Sequence, residues 1–263
     1  MKEYDKYLKL LKEKYPTKQS VYRELINLNA IMNLPKGTEH FMSDLHGEYD
    51  VFYHIINNCS GVIREKVAML YGDELTVYEQ QELCTLIYYP REKLSILMDE
   101  NKVNDEWYRN VLNQLIQIAK LLSSKYTRSK VRKAMPVDFA YIIDELIHAQ
   151  KDEDDNRSVY HRQIMETILS LHNGDEFLVA LTDLIKRLAV DHLHILGDIY
   201  DRGAHADKIL DLLMEHHSVD IQWGNHDILW MGAFCGNPVC MALVVRNNIK
   251  YKTMSILENG YGI

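Results

Sequence analysis

The architecture of this chain follows from the stretch DHLHILGDIYDRG at residues 191–203. Its first half alternates in the manner of a strand, and its second half is a loop rich in glycine and aspartate. A helix is predicted around 209–213, and the strand-like segment 219–223 then opens into the loop 224–227 (GNHD). Strand, helix and strand in this order favour a parallel sheet flanked by helices, which is an α/β fold.

A matching strand and loop stand roughly 150 residues earlier in the chain. Residues 39–42 (EHFM) predict a strand that ends on the loop 43–47 (SDLHG), and a helix is expected from about Tyr49 to Asn57. Before them, the first 33 residues are predicted to be helical, up to the proline and glycine at 35–37. We expect both strand–loop units to belong to one sheet.

The segment between these units has the periodicity of long amphipathic helices. We therefore predict three parts: 1–59 with the N-terminal helices and the first strand–helix unit, 60–188 as a helical insertion, and 189–263 as the continuation of the sheet domain. The acidic run 152–155 is interpreted as a solvated loop between two helices of the insertion.

Composition excludes several classes of function. The net charge of −8, without a long basic run, makes nucleic-acid binding a poor interpretation. The charged N-terminus is not a secretory signal and no long apolar run occurs, so we expect no membrane partner. The four cysteines form no C-x-x-C pair and no disulfide framework, which favours reduced thiols and a cytoplasmic location.

Each of the three polar loops directly follows a predicted strand, and such loops meet at the carboxyl edge of a parallel sheet. Asp44 and His46 are two residues apart and can face one metal ion. Asp198 can bridge two ions, and Asn225 offers a carbonyl oxygen to the second. This donor set suits Mn²⁺, Fe²⁺ or Zn²⁺. Two such ions, roughly 3.5–4 Å apart, could hold an attacking hydroxide and clamp the oxygens of a phosphoryl group.

The other polar residues of these loops supply the remaining parts of phosphoryl transfer. Arg202 has a planar fork for two phosphate oxygens. His226 is placed to protonate a leaving alkoxide, and Asp201 could orient its ring. The alternatives are that these side chains merely cap helices and turns, or that Arg202 forms a structural ion pair with Asp201 or Asp198. Because three such motifs occur in this order, we interpret them as one phosphoesterase site.

Other polar clusters favour structural interpretations. His192 and His194 lie on one face of a predicted strand, upstream of its loop, and we interpret them as satisfied structural histidines rather than metal ligands. His216 and His217 stand at a predicted helix C-terminus, where surface histidines complement the helix dipole. The basic stretch 123–133 is interpreted as a solvated helix face, with phosphate or effector binding as the alternative.

The loop residues resemble those of the metallophosphoesterase superfamily, which includes the calcineurin-like phosphatases and the protein Ser/Thr phosphatases. The resemblance implies that superfamily's sheet-and-helix fold. The roles that it implies are first-metal ligand for Asp44 and His46, bridging carboxylate for Asp198, second-metal ligand for Asn225, catalytic histidine for His226, its partner for Asp201 and phosphate-binding arginine for Arg202.

A narrower resemblance covers nearly the whole chain. The stretches MNLPKGTEHFMSDLHGEYD, SSKYTRSKVRKA, VDHLHILGDIYDRG and HHSVDIQWGNHD resemble the class III fructose-1,6-bisphosphatases of Firmicutes-type bacteria. The helical block at 60–188 is similar to that family's insertion. The resemblance implies a manganese-dependent enzyme that hydrolyses fructose 1,6-bisphosphate to fructose 6-phosphate in gluconeogenesis, and therefore a small sugar phosphate as the binding partner.

The chain departs from the superfamily pattern in one respect. Two further histidines complete the superfamily's metal site, and no histidine follows His226 here. We therefore expect a truncated chain that binds the second metal poorly and has little activity by itself. A protein Ser/Thr phosphatase and a dinucleoside polyphosphate hydrolase are alternatives with the same chemistry. A non-catalytic metal-binding fragment that assembles with other chains is a third, and assembly into a homo-oligomer stays open.

Overall fold

The computed structural model of the protein describes residues 2–149 and 155–262. Its sheet has three parallel strands, β1 (Glu39–Met42), β2 (His192–Ile195) and β3 (Val219–Ile221), in the order β1-β2-β3. The described helices are α1 (Lys2–Lys14), α2 (Lys18–Ile31), α3 (Tyr49–Asn58), α4 (Val62–Tyr71), α5 (Val77–Tyr88), α6 (Pro90–Asp99), α7 (Asp105–Ser123), α8 (Arg128–Ala134), α9 (Ala140–Ile147), α10 (Asp155–Ser170), α11 (Gly174–Ala189), α12 (Ala206–Glu215), α13 (Asn225–Phe234), α14 (Pro238–Tyr251) and α15 (Met254–Tyr261).

The parallel α/β order predicted around the site is confirmed. β1 is followed by α3, and β2 leads through α12 into β3. β3 is shorter than the predicted segment 219–223. The N–H of Gln222 still donates to Ile195 O (2.8 Å), but the chain then leaves the ladder so that Gly224 can approach the backbone of Gly197.

The two faces of the sheet differ because side chains alternate along each strand. On one face Leu193 and Ile195 are fully buried and pack with Phe52 of α3 and with Ile209 and Leu213 of α12. The opposite face is called the open face below and carries Glu39, Phe41, His192, His194 and Asp220. Phe41 remains 62% exposed there. Because the three strands are parallel, all of them end at the same edge of the sheet.

The largest core lies among helices α4 to α11. Residues spaced by one helical turn on α11 are buried, including Phe177, Leu181 and Leu184, and they pack in one cluster with Leu112 and Leu115 of α7. Truncating one of these leucines to alanine would cost about 2–5 kcal/mol of folding stability.

The sequence correctly indicated helices in this segment. The division into 1–59, 60–188 and 189–263 stays a prediction, and the acidic loop expected at 152–155 lies outside the described residues apart from Asp155, which begins α10.

The helix starts are encoded locally. Thr76 and Glu79 form a capping box at α5: the Glu79 N–H donates to Thr76 Oγ1, and the Thr76 N–H donates to Glu79 Oε2. Asn104 accepts the Trp107 N–H at the start of α7.

At the C-terminal end, α13 to α15 pack around Trp230, Val244 and Leu257. Among the described helices, none is both long and apolar enough to cross a membrane.

Candidate metal centre

Two of the three predicted loops are joined by backbone hydrogen bonds. The Asp44 N–H donates to Gly197 O (3.2 Å), and the His46 N–H donates to Asp198 O (2.8 Å). In the other direction the Gly203 N–H donates to His46 O (2.6 Å). Although roughly 150 residues separate them in sequence, the loop after β1 and the loop after β2 therefore form one continuous structure.

Pairs of glycines allow these loops to touch. A Cβ atom on Gly47 would overlap the backbone of Gly203, and one on Gly203 would overlap Gly47. A Cβ on Gly197 would overlap Gly224 in the same way, and one on Gly224 would overlap the Asp198 carboxylate. The glycines of the three loops are thus required for close approach of backbone to backbone.

The third loop is fastened by Asp227, a residue to which the sequence analysis gave no role. Its carboxylate is 5% exposed and accepts four backbone N–H groups. The donors are Asp198 (2.8 Å), Ile199 (2.9 Å), Tyr200 (3.2 Å) and Gly224 (2.8 Å). Because three of these donors lie in the loop after β2, Asp227 ties that loop to the start of α13.

Three of the four predicted metal ligands form a compact cluster. Ligand atoms of Asp44, His46 and Asp198 all lie within 4.8 Å of one another. His46 Nε2 is 3.4 Å from Asp44 Oδ1, and its Nδ1 is 3.2 Å from the carbonyl oxygen of Tyr200. That carbonyl fixes the tautomer with the proton on Nδ1, so the lone pair of Nε2 faces the two carboxylates.

The geometry of His46 fits a metal ligand. The ring is 5% exposed, and Nε2 is a buried atom with no hydrogen-bond partner among the described residues. A buried imidazole nitrogen without a partner is costly unless a cation binds it. Two carboxylates and one imidazole form a donor set suited to a divalent ion of the first transition row.

Asn225, the fourth predicted ligand, is the first residue of α13 and is exposed. The next residue belongs to the same loop junction, because the His226 N–H donates to Asp198 Oδ1 (3.2 Å). This contact joins the helix start to the Asp198 carboxylate. Its role as a metal ligand stays a prediction.

The predicted pair of His226 and Asp201 is in contact. His226 Nδ1 is 2.6 Å from Asp201 Oδ2, and the His226 ring stands edge-on to the His46 ring with 5.3 Å between centroids. Asp201 is 4% exposed and has two further donors, Trp230 Nε1 (3.0 Å) and Asn247 Nδ2 (2.8 Å). With Nδ1 turned to Asp201, the free nitrogen of the catalytic candidate is Nε2.

Trp230 and Asn247 could not be found from the motifs. They lie on α13 and α14, outside the loops that carry the polar clusters, and no spacing rule links them to Asp201. Only the packing of α14 against α13 brings Asn247 to the site.

Arg202 does not form the structural ion pair that was its alternative interpretation. It is exposed, and the structure gives it no hydrogen bond or ion pair with any described residue. Asp201 beside it is already occupied by His226, Trp230 and Asn247. The guanidinium is therefore exposed, with its donors unused by the part of the chain described.

Backbone strain is concentrated at the predicted site. In the described part of the chain ten non-glycine residues have a positive φ, and five of them are predicted site residues. They are Asp44, His46, Asp198, Asp201 and Arg202. A left-handed conformation at such residues costs of order 1–3 kcal/mol each and persists only where the surroundings enforce it. Here the cross-loop hydrogen bonds and the Asp227 carboxylate enforce it.

One expectation about the helix ends was wrong. Burial lowers the pKa of His216 to about 4, so this ring is neutral at pH 7 and cannot complement the dipole of α12 as a cation. The ring is half-buried, with Nδ1 3.0 Å from Ser218 O. The sequence pattern showed the helix end correctly but not that the ring turns inward.

A small parallel sheet with carboxylates and imidazoles at its carboxyl edge defines an α/β protein with a candidate metal centre. Comparison with known families identifies a more specific group within this class. Residues 6–263 of the chain match the Firmicute fructose-1,6-bisphosphatase family. The chain belongs to that family.

Individual relatives agree with this assignment. A class 3 fructose-1,6-bisphosphatase of Clostridium beijerinckii is 54% identical over 100% of this chain and 41% of its own length. Proteins of the same name from Clostridium acetobutylicum and Listeria innocua are each 54% identical over 98% of this chain and 39% of their own length. The chain thus spans about two fifths of the length of these relatives. No solved structure matches it.

Proposed function

We propose that this chain carries part of the active site of a metal-dependent phosphatase that hydrolyses fructose 1,6-bisphosphate to fructose 6-phosphate and phosphate. The observation that carries the proposal is the buried, unpartnered Nε2 of His46 beside Asp44 and Asp198, with the His226–Asp201 pair next to it. We also propose that the surrounding sheet is the first part of a metallophosphoesterase fold, interrupted by a helical insertion at 60–188.

Asp44, His46, Asp198 and Asn225 would hold two divalent ions in this proposal, most readily Mn²⁺. When bound, such ions supply a nucleophile at neutral pH and neutralise charge on the phosphoryl oxygens. The donor set supports this choice, because mixed oxygen and imidazole ligands suit manganese better than thiolates do.

The chain's own residues would position the phosphate and move one proton. Arg202 would bind two phosphate oxygens through its planar fork, for which its unused donors are available. His226 would hold a proton at Nε2 and give it to the leaving sugar oxygen. Asp201 accepts from Nδ1 and would stabilise the cationic ring before that transfer, while Trp230 and Asn247 keep the carboxylate in place.

The choice of substrate rests on the relatives, whose names specify fructose 1,6-bisphosphate. The metal and arginine positions alone suit a phosphopeptide or a dinucleoside polyphosphate equally well. A cytoplasmic enzyme without a nucleic-acid or membrane partner, active in gluconeogenesis and able to form a homo-oligomer, is part of the same proposal.

The test is phosphate release from fructose 1,6-bisphosphate in the presence of Mn²⁺. It compares this chain, a protein extended to the length of its relatives, and an Asp198→Asn variant of the extended protein. We expect activity in the extended protein that the variant loses, and little activity in this chain. Turnover of a phosphopeptide or dinucleotide instead would overturn the choice of substrate but keep the chemistry, whereas activity unaffected by the substitution would overturn the site.

A further inference from the structure

A second group of metal-type ligands lies on the open face of the sheet. The register of the strands sets Asp220 of β3 directly beside His194 of β2. Asp220 Oδ1 is 2.9 Å from His194 Nδ1, and Asp220 Oδ2 is 3.1 Å from His192 Nε2. Ligand atoms of the three residues all lie within 4.8 Å of one another. The sequence alone could not assign this cluster, since it did not show which strand residue would face the two histidines.

The two imidazole rings are held in orientations that suit metal ligation. His192 Nδ1 is 2.6 Å from Ser218 Oγ, which leaves Nε2 to face Asp220. The ring of His194 stacks on Phe41 with 4.4 Å between centroids. Its Nε2 is 3.7 Å from a carboxylate oxygen of Glu39 and is buried without a hydrogen-bond partner among the described residues. Metal-binding histidines typically direct their second nitrogen at such a hydroxyl or carboxylate.

The charges around the cluster also favour a cation. The Asp220 carboxylate contacts both rings. Glu39 adds a second carboxylate, 3.7 Å from His194 Nε2. A divalent ion bound here would offset the negative charge of these two carboxylates.

We propose that His192, His194 and Asp220 form a metal site separate from the candidate metal centre, with Zn²⁺ as the preferred ion. Two histidines and one carboxylate are a known three-residue ligand set for zinc, with a fourth position for water or another ligand. Imidazole-rich sites bind Zn²⁺ more tightly than Mn²⁺. The ligands lie within β2 and β3, whereas the candidate metal centre lies beyond the ends of these strands. The inference therefore goes beyond the proposed function and does not depend on it.

Zinc at this position would join β2 to β3 on the face that lacks an apolar core. An ion that binds only the folded chain stabilises it by mass action. Zn²⁺ is therefore expected to raise the thermal midpoint of the chain even when the candidate metal centre is removed.

The test uses Co²⁺ as a spectroscopic substitute for zinc, added to metal-free chain carrying Asp44→Asn and Asp198→Asn. These two substitutions remove the ligands of the candidate metal centre. We expect one equivalent of Co²⁺ to bind with the visible absorption of a four- or five-coordinate ion, and Zn²⁺ to displace it far more readily than Mn²⁺. A folded double variant that binds no Co²⁺ would overturn the proposal.

A further substitution, His194→Gln, assigns the binding to the cluster. It should abolish Co²⁺ binding and the thermal shift with Zn²⁺, whereas His40→Gln, on the opposite face of β1, should leave both unchanged. Circular dichroism checks that each variant is folded. If His194→Gln does not fold, Asp220→Asn replaces it, because that side chain is 58% exposed. Binding that persists in the folded variant would place the ion elsewhere and refute the site.

Discussion

Asp227 accepts a hydrogen bond from the backbone N–H of Asp198, with 2.8 Å between the nitrogen and Oδ2. The proposed bridging ligand is therefore held in its left-handed conformation (φ 56°) by a buried carboxylate from the first turn of α13. Asp227 thus holds the backbone of Asp198 in place and in its strained conformation, although Asp227 itself need not touch a metal or a substrate.

Asp227→Asn should destabilise the chain strongly. The substitution replaces one acceptor oxygen with an amide NH₂, which would face backbone N–H donors instead of accepting from them. Hydrogen bonds to a charged group contribute roughly 1.5–3 kcal/mol, so we expect a loss of about 3 kcal/mol in the free energy of unfolding. Urea unfolding followed by circular dichroism measures it.

Asp211→Asn provides the matched control, because Asp211 is exposed on α12. It should change the free energy of unfolding by less than about 0.5 kcal/mol. Equal stability of the two variants would contradict the role given to Asp227.

Asn247→Ala is expected to impair catalysis without removing a metal ligand. Asn247 donates to the same Asp201 oxygen that contacts His226, so its loss should let the carboxylate and the histidine ring reorient. In a protein extended to the length of its relatives, we expect kcat to fall about tenfold, which equals about 1.4 kcal/mol. KM and manganese content should stay unchanged.

The separate effects on kcat and KM distinguish this positioning role from a merely structural one. A carboxylate that is held less firmly lets the His226 ring turn away from the leaving oxygen, so kcat should fall while KM stays unchanged. Asn247→Asp keeps the size of the side chain but replaces the Nδ2 donor with a carboxylate oxygen, and should not restore kcat. A smaller amount of folded protein with an unchanged kcat would argue against the assignment.

The sheet could be predicted because its information is local. Alternation over 191–196 marks β2, the short segment after the break at 35–37 marks β1, and the glycines that follow each strand mark the loops. Parallel order then brings the carboxyl ends together, which is why Asp44, His46 and Asp198 were correctly expected to meet. The length of β3 was missed, since it depends on where Gly224 must contact Gly197.

The supporting residues could not be predicted for a physical reason. Trp230 and Asn247 act through hydrogen bonds that exist only once α13 and α14 have packed against the loops, and nothing in their spacing distinguishes them from ordinary helix residues. Asp227 belongs to the stretch 224–227, but its position there does not show that its carboxylate accepts from the loop after β2. The same applies to Asp220, because its neighbours on the open face follow from strand register rather than from sequence distance.

Arg202→Lys tests the proposed phosphate contact. Lysine keeps the charge but loses the planar fork that binds two oxygens at once. In the extended protein, we expect KM for fructose 1,6-bisphosphate to rise roughly tenfold, equivalent to about 1.4 kcal/mol of lost binding. Arg128→Lys, at an exposed position at the start of α8, should leave KM unchanged. An unchanged KM in Arg202→Lys would show that the positive charge is sufficient and that the planar fork is not needed.

His216 should make the stability of the chain depend on pH below neutrality. Its pKa is about 4 in the folded chain because of burial, against an ordinary value of about 6.5 when unfolded. Between these values the unfolded state binds more protons, so the free energy of unfolding falls as the pH falls from 6.5 to 4. Because the ring is only half-buried, we expect a loss on the order of 1–2 kcal/mol.

Thermal unfolding at pH 7 and at pH 4.5 measures this loss, and the carboxylates add their own pH dependence in every variant. The informative quantity is therefore the difference between variants. His216→Gln should reduce the drop in stability between the two pH values, because glutamine does not titrate. His172→Asn, at an exposed histidine with a positive φ of 53° that asparagine tolerates, should leave the drop as it is. A drop of the same size in all three proteins would mean that His216 is protonated as readily in the folded chain as in the unfolded one.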